Sequence, residues 1–228
     1  MGRAPARRLR YGSAVRLALY SFWRSSCSWR VRIGLALKGL DYQYRAVNLL
    51  EGAQFGAEHR RRNPMSQVPV LEVEEDGRVR HLTQSMAILE WLDERFPSPP
   101  LLPADAFGRA RVRALAEHVN AGIQPYQNSA PQKWLHARSA GLEKEYVPHF
   151  LGVGMAALEE AVRDGAGRFC HGDAPTLADV YLVPQMYGAR RYGLDVALYP
   201  TLLRIEAACA ALDAFQRAEP GRQPDARG

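Results

Sequence analysis

The sequence predicts an α/β half of element order βαβαββα joined to an all-helical half, on the strength of three observations. Up to Phe96, short β-compatible runs alternate with stretches of helical spacing. A proline-rich stretch, Pro97-Ser98-Pro99-Pro100-Leu101-Leu102-Pro103, then interrupts both patterns, because it can neither continue a helix nor sit inside a sheet. Beyond Ala106 the turn signals thin out and long helical patterns dominate. The expected division is an N-terminal extension at 1–14, an α/β domain at 15–96, a linker at 97–105 and a helical domain at 106–228. A chain of 228 residues with 47% hydrophobic content has enough length and apolar mass for both.

Residues 1–14 carry Pro, Gly, Ser and Arg without apolar periodicity and read as a flexible extension. Val15-Arg16-Leu17-Ala18-Leu19-Tyr20 is the first strand. Ser25-Ser26-Cys27-Ser28-Trp29-Arg30 then opens a helix in which Val31, Leu35 and Lys38 fall at helical spacing, and Gly39 can close it. Tyr42-Gln43-Tyr44-Arg45-Ala46-Val47 is the second strand, followed by a short helix from Phe55 to Arg61. Asn63-Pro64 ends that helix. Val68-Pro69-Val70-Leu71-Glu72-Val73 is the third strand, and Asp76-Gly77 turns it back into a fourth at Arg78 to Leu82. Thr83-Gln84-Ser85 opens a helix whose Met86, Leu89, Leu92 and Phe96 repeat at three and four residues. In the second half, Val112, Leu115 and Val119 mark one helix, interrupted at Pro125, and Val153, Ala157, Leu158 and Val162 mark another. Thr176-Leu177-Ala178-Asp179 has the shape of a capping box before Val180, Val183 and Met186. Tyr199-Pro200 precedes a last helix at Leu202 to Leu212.

The formal net charge of +6 lies mostly in the extension: setting aside Arg3, Arg7, Arg8 and Arg10 leaves +2. Arg60-Arg61-Arg62 reads as a solvated helix end, so nucleic acid is not an expected partner. No apolar run approaches the ~20 residues of a membrane helix and none follows the basic start, so the expected location is the cytosol. Cys27, Cys170 and Cys209 are widely spaced, with no arrangement that suggests a disulfide framework or a zinc site, and no metal is expected.

Cys27 and its serines crowd a helix N-terminus, where unpaired N–H groups and the helix dipole favour an anion. The plain alternative is that Ser25, Ser26 and Ser28 compete to be the N-cap. Arg24 and Arg30 stand three residues either side of Cys27, so there is no Cys-x-x-Cys pair, although a monothiol mechanism stays open.

The plan of an α/β half, a Pro-rich linker and a helical half resembles the cytosolic glutathione transferases, whose first half is thioredoxin-like. Ser25-Ser26-Cys27-Ser28-Trp29-Arg30-Val31-Arg32-Ile33 resembles the signature of their zeta class, the maleylacetoacetate isomerases. The likeness runs from about Leu19 to Asp225 through Asn63-Pro64-Met65, Gln67-Val68-Pro69, Gln84-Ser85, Gly122-Ile123-Gln124-Pro125, Gln127-Asn128 and Leu182-Val183-Pro184-Gln185. It implies a cytoplasmic homodimer that binds glutathione as cofactor. The implied enzyme isomerises maleylacetoacetate to fumarylacetoacetate, in tyrosine and phenylalanine catabolism, by reversible addition of a thiolate to the cis double bond. By the same resemblance Ser25, Ser26 and Cys27 are catalytic candidates. Ser25, Ser26, Gln54, Val68, Pro69 (as a cis proline), Gln84, Ser85, Gln124 and Asn128 hold glutathione. Arg24 and Arg191 meet the carboxylates of a dicarboxylate substrate, with Arg191 turned inward and Arg190 outward. The implied dimer buries the helix of Met86 and Leu89 against its partner.

A thiol that ionises at about pH 8.5 needs about 2 kcal/mol of extra stabilisation to be half ionised near pH 7. An exposed helix terminus supplies only about 0.3–1 kcal/mol. A hydrogen bond to a charged acceptor adds about 1.5–3 kcal/mol, so a donating Ser25 hydroxyl closes the gap. Whether Ser25 or Cys27 dominates stays open. So do the glutathione-dependent maleylpyruvate isomerases, general transferases, dehalogenases of α-haloacids, and catalytically silent proteins of the same fold. Ser129 and Ala130 stand where part of the maleylpyruvate branch carries arginine, which favours maleylacetoacetate.

Overall fold

The computed structural model describes residues 15–226, so the extension expected at 1–14 lies outside the described residues. Four strands, β1 (Arg16–Ser21), β2 (Gln43–Ala46), β3 (Val70–Glu75) and β4 (Arg78–Thr83), form one sheet of order β2-β1-β3-β4. Helix α1 (Ser26–Leu37) carries the chain from β1 back to a parallel β2, and α2 (Ala57–Arg62) leads to β3, which runs antiparallel to β1. Asp76 and Gly77 both adopt positive φ (52° and 73°), the pairing that a two-residue hairpin between twisted strands requires. β3 starts two residues later than the sequence suggests: Pro69 has no N–H for the ladder, and Val68-Pro69 is a cis peptide just before it. Helix α3 (Ser85–Arg95) then packs beside α1.

The helical half comprises α4 (Ala106–Asn120), α5 (Ser129–Arg138), α6 (Leu142–Arg163), α7 (Leu177–Arg191), α8 (Pro200–Ala210) and α9 (Asp213–Ala218). Val31, Leu35, Leu71, Ile88 and Leu92 form a core between the sheet and helices α1 and α3. Trp29, Ile33 and Leu89 instead join Val112, Leu151, Tyr181 and Leu202 in a second core that spans both halves. α1 is therefore buried from Ser28 to Leu35 without a break, with sheet on one side and α7 and α9 on the other. It approaches α3 so closely that a Cβ on Gly34 would lie 2.2 Å from Leu89 Cδ2. Gly39, at φ 63°, ends α1 as the sequence suggests: Leu40 N–H bonds Leu35 O (3.0 Å) and Gly39 N–H bonds Ala36 O (3.1 Å).

Two expectations shift. α6 turns Leu151, Met155, Leu158 and Val162 inward and leaves Val153 59% exposed, because the i, i+4, i+7 register starting at Leu151 fills the core and the one at Val153 does not. Leu89 is fully buried within its own chain, so of the two residues expected to meet a partner copy only the half-buried Met86 keeps exposed surface. Among the described residues no helix is long and apolar enough to cross a membrane.

Candidate functional site

Ser25 is the N-cap of α1, in extended backbone (φ −68°, ψ 119°), with its Oγ accepting the Ser28 N–H at 3.2 Å. Capping uses an oxygen lone pair and leaves the hydroxyl hydrogen free to donate elsewhere, so the capping and anion-binding readings are compatible. The N–H groups of Ser26 and Cys27 belong to the open first turn. Ser26 Oγ donates to Gln124 Oε1 at 2.8 Å, tying the helix start to the short turn Gln124–Gln127 in the other half. Cys27 is a half-buried free thiol.

Gln124 belongs to a network that reaches a second helix start. Its Oε1 also accepts Arg30 Nη2 at 3.3 Å, and its Nε2 donates to Asn128 Oδ1 at 3.2 Å. Arg30 Nη1 bonds Asn120 Oδ1 (3.1 Å) and reaches Ser85 Oγ (3.4 Å), the first residue of α3. The guanidinium lies 4.2 Å from the centre of the Tyr181 ring, whose hydroxyl pairs with Ser85 Oγ at 3.1 Å. Burial pushes the Tyr181 phenol up, so it is neutral at ordinary pH. Arg30 is completely buried, its Nε has no partner, and it makes no salt bridge among the described residues. A cation sealed among neutral partners is costly by itself and suits a place where an anion arrives with a ligand. Gln84, just before α3, holds φ at 68°, a left-handed conformation uncommon for a non-glycine side chain and concentrated at ligand clamps.

The approach to Val68-Pro69 is stapled separately. Gln67 O accepts both Asn63 Nδ2 and His59 Nε2 at 2.9 Å, and Asn63 Oδ1 takes the Met65 N–H at 3.0 Å. Gln54 sits in the short turn Ala53–Phe55 with a buried Oε1 that has no partner, an acceptor awaiting a donor. Thus Ser26, Ser85, Gln124 and Asn128 share one network with Arg30. Gln54, Val68 and Pro69 stand on other elements, and Gln84, the residue capping α3 before Ser85, has no side-chain hydrogen bond to the network.

Arg24 is half-buried, 5.5 Å from the Trp23 ring centre. Arg191 differs from expectation: it is exposed beside Tyr192 (5.4 Å), and Arg190 is also exposed, paired with Glu206 of α8. Neither turns inward because Ala189 is the last buried residue of α7, whose final turn runs past the core. Sequence reasoning missed Arg30, Tyr181, Asn120, His59 and Asn63 as parts of this apparatus. For Arg30 and Arg32 a signal existed: both lie in Trp29-Arg30-Val31-Arg32-Ile33-Gly34-Leu35-Ala36-Leu37, a run with no solvent-facing stripe, so its arginines had to be enclosed. A cavity of about 440 Å³ bordered by Ala36, Phe169 and Arg217 contains none of these residues.

The glutathione S-transferase N-terminal domain family matches residues 24–95. The chain is 44% identical over 209 residues to the maleylacetoacetate isomerase of Rattus norvegicus, covering 91% of this chain and 94% of the rat protein. It is also 44% identical over 215 residues to the maleylpyruvate isomerase of a Ralstonia species, covering 92% and 99%. The crystal structure of maleylacetoacetate isomerase from Anaeromyxobacter dehalogenans 2CP-1 with bound glutathione superposes with a TM-score of 0.89 at 66% identity, covering 94% of this chain and 99% of that one. A second structure of that enzyme holds dicarboxyethyl glutathione and citrate in its active site, at 64% identity, TM-score 0.89 and 95% and 100% coverage.

Proposed function

Because the chain belongs to the zeta-class glutathione transferases, the maleylacetoacetate isomerase family, we propose that it is a glutathione-dependent cis–trans isomerase converting maleylacetoacetate to fumarylacetoacetate. The observation that carries this reading is the buried Arg30, whose neutral partners bridge the starts of α1 and α3. The residues present suit glutathione: Arg30 lacks an anion, Gln54 Oε1 lacks a donor, and two helix N-termini are available for a thiolate and a carboxylate. When bound, glutathione supplies the nucleophilic thiolate that turns the substrate double bond into a rotatable single bond.

The chain's own residues divide the remaining work. Ser25 Oγ donates its hydrogen to the thiolate while its lone pair stays on the Ser28 N–H. Ser26 is held by Gln124, and Cys27 lines the same turn and orients substrate. Ser85 and the N-terminus of α3 hold the γ-glutamyl carboxylate, Arg30 behind them supplies the opposing charge, and Gln84 closes over it. Val68 and Pro69 present backbone to the cysteinyl residue, and Gln54 and Asn128 complete the peptide contacts. Arg24, half-buried beside Ser25, binds a substrate carboxylate, whereas Arg191 on the exposed last turn of α7 has no place in this division. In this division residues 15–96 supply most of the glutathione site, 97–105 link, and 106–228 add Asn128 to it and shape the substrate side. A cytosolic homodimer is part of the reading. With Leu89 covered, the exposed Leu50, Phe55 and Met65 supply the apolar surface for a second copy, and light scattering at the mass of one chain would oppose it.

Parallel isomerisation assays with glutathione and either maleylacetoacetate or maleylpyruvate test the function. Higher kcat/KM for maleylacetoacetate is expected. A preference for maleylpyruvate would assign the chain to the branch of the equally similar Ralstonia enzyme, and turnover without glutathione would refute the mechanism.

A further inference from the structure

The turn between β1 and α1, which carries Arg24 and Ser25, is held from two directions. From below, Arg32 Nη2 bonds Trp23 O at 2.9 Å and its Nη1 reaches Phe22 O at 3.5 Å, while Nε bonds Ala218 O of α9 at 3.1 Å. From the other side, the carboxylate of Asp225 accepts the Trp23 N–H on Oδ2 at 3.1 Å and the Tyr44 hydroxyl on Oδ1 at 2.6 Å. The segment bearing Asp225 is itself folded for this: Gln223 Nε2 bonds Arg217 O (3.0 Å) and Glu219 O (2.8 Å), and Ala226 N–H closes a turn on Gln223 O (3.0 Å).

We propose that Asp225 is a positioning residue for the reaction: it fixes the backbone two residues before Ser25 and thereby aims the Ser25 hydroxyl and Arg24 at their targets. Within the turn Ser25 N–H bonds Phe22 O at 3.0 Å, whereas Trp23 N–H is held from outside it by the Asp225 side chain, so that contact ties the turn to the C-terminal segment. The inference rests on the reading of Ser25 as thiolate donor. The peptide-binding elements, Val68-Pro69 and Gln84-Ser85, make no hydrogen bond to this turn. Loosening the turn therefore acts on kcat and leaves the hold on glutathione in place. Misplacing a reacting group by about 1 Å costs about a hundredfold in rate.

The test compares Asp225→Ala, Asp225→Asn, Tyr44→Phe and, as reference, Ser25→Ala in the full chain. Asn at 225 can still accept the Trp23 N–H on Oδ1 while its amide donates to the Tyr44 oxygen, so it should restore most of the rate. Asp225→Ala should lower kcat by about ten- to a hundredfold with KM for glutathione nearly unchanged. Two further readouts should move with it: faster hydrogen exchange of the Trp23 amide in the protein without glutathione, and an upward move in the pH at which bound glutathione ionises. Tyr44→Phe should show the same pattern in weaker form, and it decides the matter if Asp225→Ala does not fold. A lowered Tm with unchanged kcat, thiolate titration and Trp23 exchange would make Asp225 merely structural and overturn the inference. If Ser25→Ala keeps full activity, the reading of Ser25 fails first, whatever the Asp225 variants do.

Discussion

Arg30 and Ser25 illustrate two different residue-scale demands. Arg30 is a desolvated cation that makes no direct salt bridge among the described residues, with the Glu117 carboxylate one hydrogen bond away through Asn120, so its removal should injure ligand binding more than folding. In Arg30→Met, Ser85 keeps Tyr181 and Gln124 keeps Ser26, and only Asn120 Oδ1 loses its donor. Tm without ligand should therefore move little, whereas calorimetry should show glutathione affinity weakened by about 1.5–3 kcal/mol, the worth of a hydrogen bond to a charged group. Unchanged affinity would mean that the γ-glutamyl carboxylate is compensated elsewhere. Ser25 combines a cap with a reactive donor. Ser25→Ala should lose about 1 kcal/mol of stability from the cap, seen in the urea midpoint, together with most of the isomerase rate. Glutathione affinity should barely change, and a variant that lost stability but kept its rate would leave the serine as a cap alone.

At the scale of an element, α7 depends on its first turn. Asp179, fully buried, accepts the Cys170 N–H (2.8 Å), the Thr176 N–H (2.7 Å) and the Thr176 hydroxyl (2.9 Å), so it caps the helix and also anchors the preceding loop. Burial raises its carboxyl above the usual carboxylate range although these donors pull it down. Each buried donor left unpaired costs about 1–3 kcal/mol, so Asp179→Ala should destabilise the protein far more than Ser25→Ala. A urea midpoint shifted no further than that of Ser25→Ala would contradict this. The fraction that folds should retain normal kcat, since α7 joins the site's hydrogen bonds through Tyr181 and Gln185, further along the helix than Asp179.

For the whole molecule, the joint between the halves is pinned by Lys38. Its buried ammonium donates to Asp93 Oδ1 (2.6 Å), Phe96 O (2.7 Å) and Pro99 O (2.7 Å), and Asp93 Oδ1 also takes the Leu101 N–H (2.7 Å). One cation at the end of α1 thus holds the end of α3 and the proline-rich link together. Breaking a buried pair by removing one partner costs about 3–5 kcal/mol, so Lys38→Met should lower stability by that order and make the link the first site of limited proteolysis. Cleavage at the wild-type rate would show that the shared core holds the halves without it.

The sequence by itself determined what short-range chemistry settles. The order of elements, the Asp76-Gly77 hairpin, the Gly39 stop, a serine cap among Ser25, Ser26 and Ser28 and the Thr176–Asp179 box each involve bonds within about one helical turn, so neighbouring residues suffice to write them. Both helix starts of the site were legible for that reason. Tertiary structure alone decided which arginine serves the site, since Arg30 meets Gln124 across 94 residues and Asp225 meets Trp23 across 202. It likewise decided that Arg191 points outward, that α6 presents Leu151 in place of Val153, and that Leu89 fills the space at Gly34. A charged side chain or an apolar face carries no mark of its partner; only the packing of α1 between the sheet and α7 removes the water that would otherwise have satisfied Arg30.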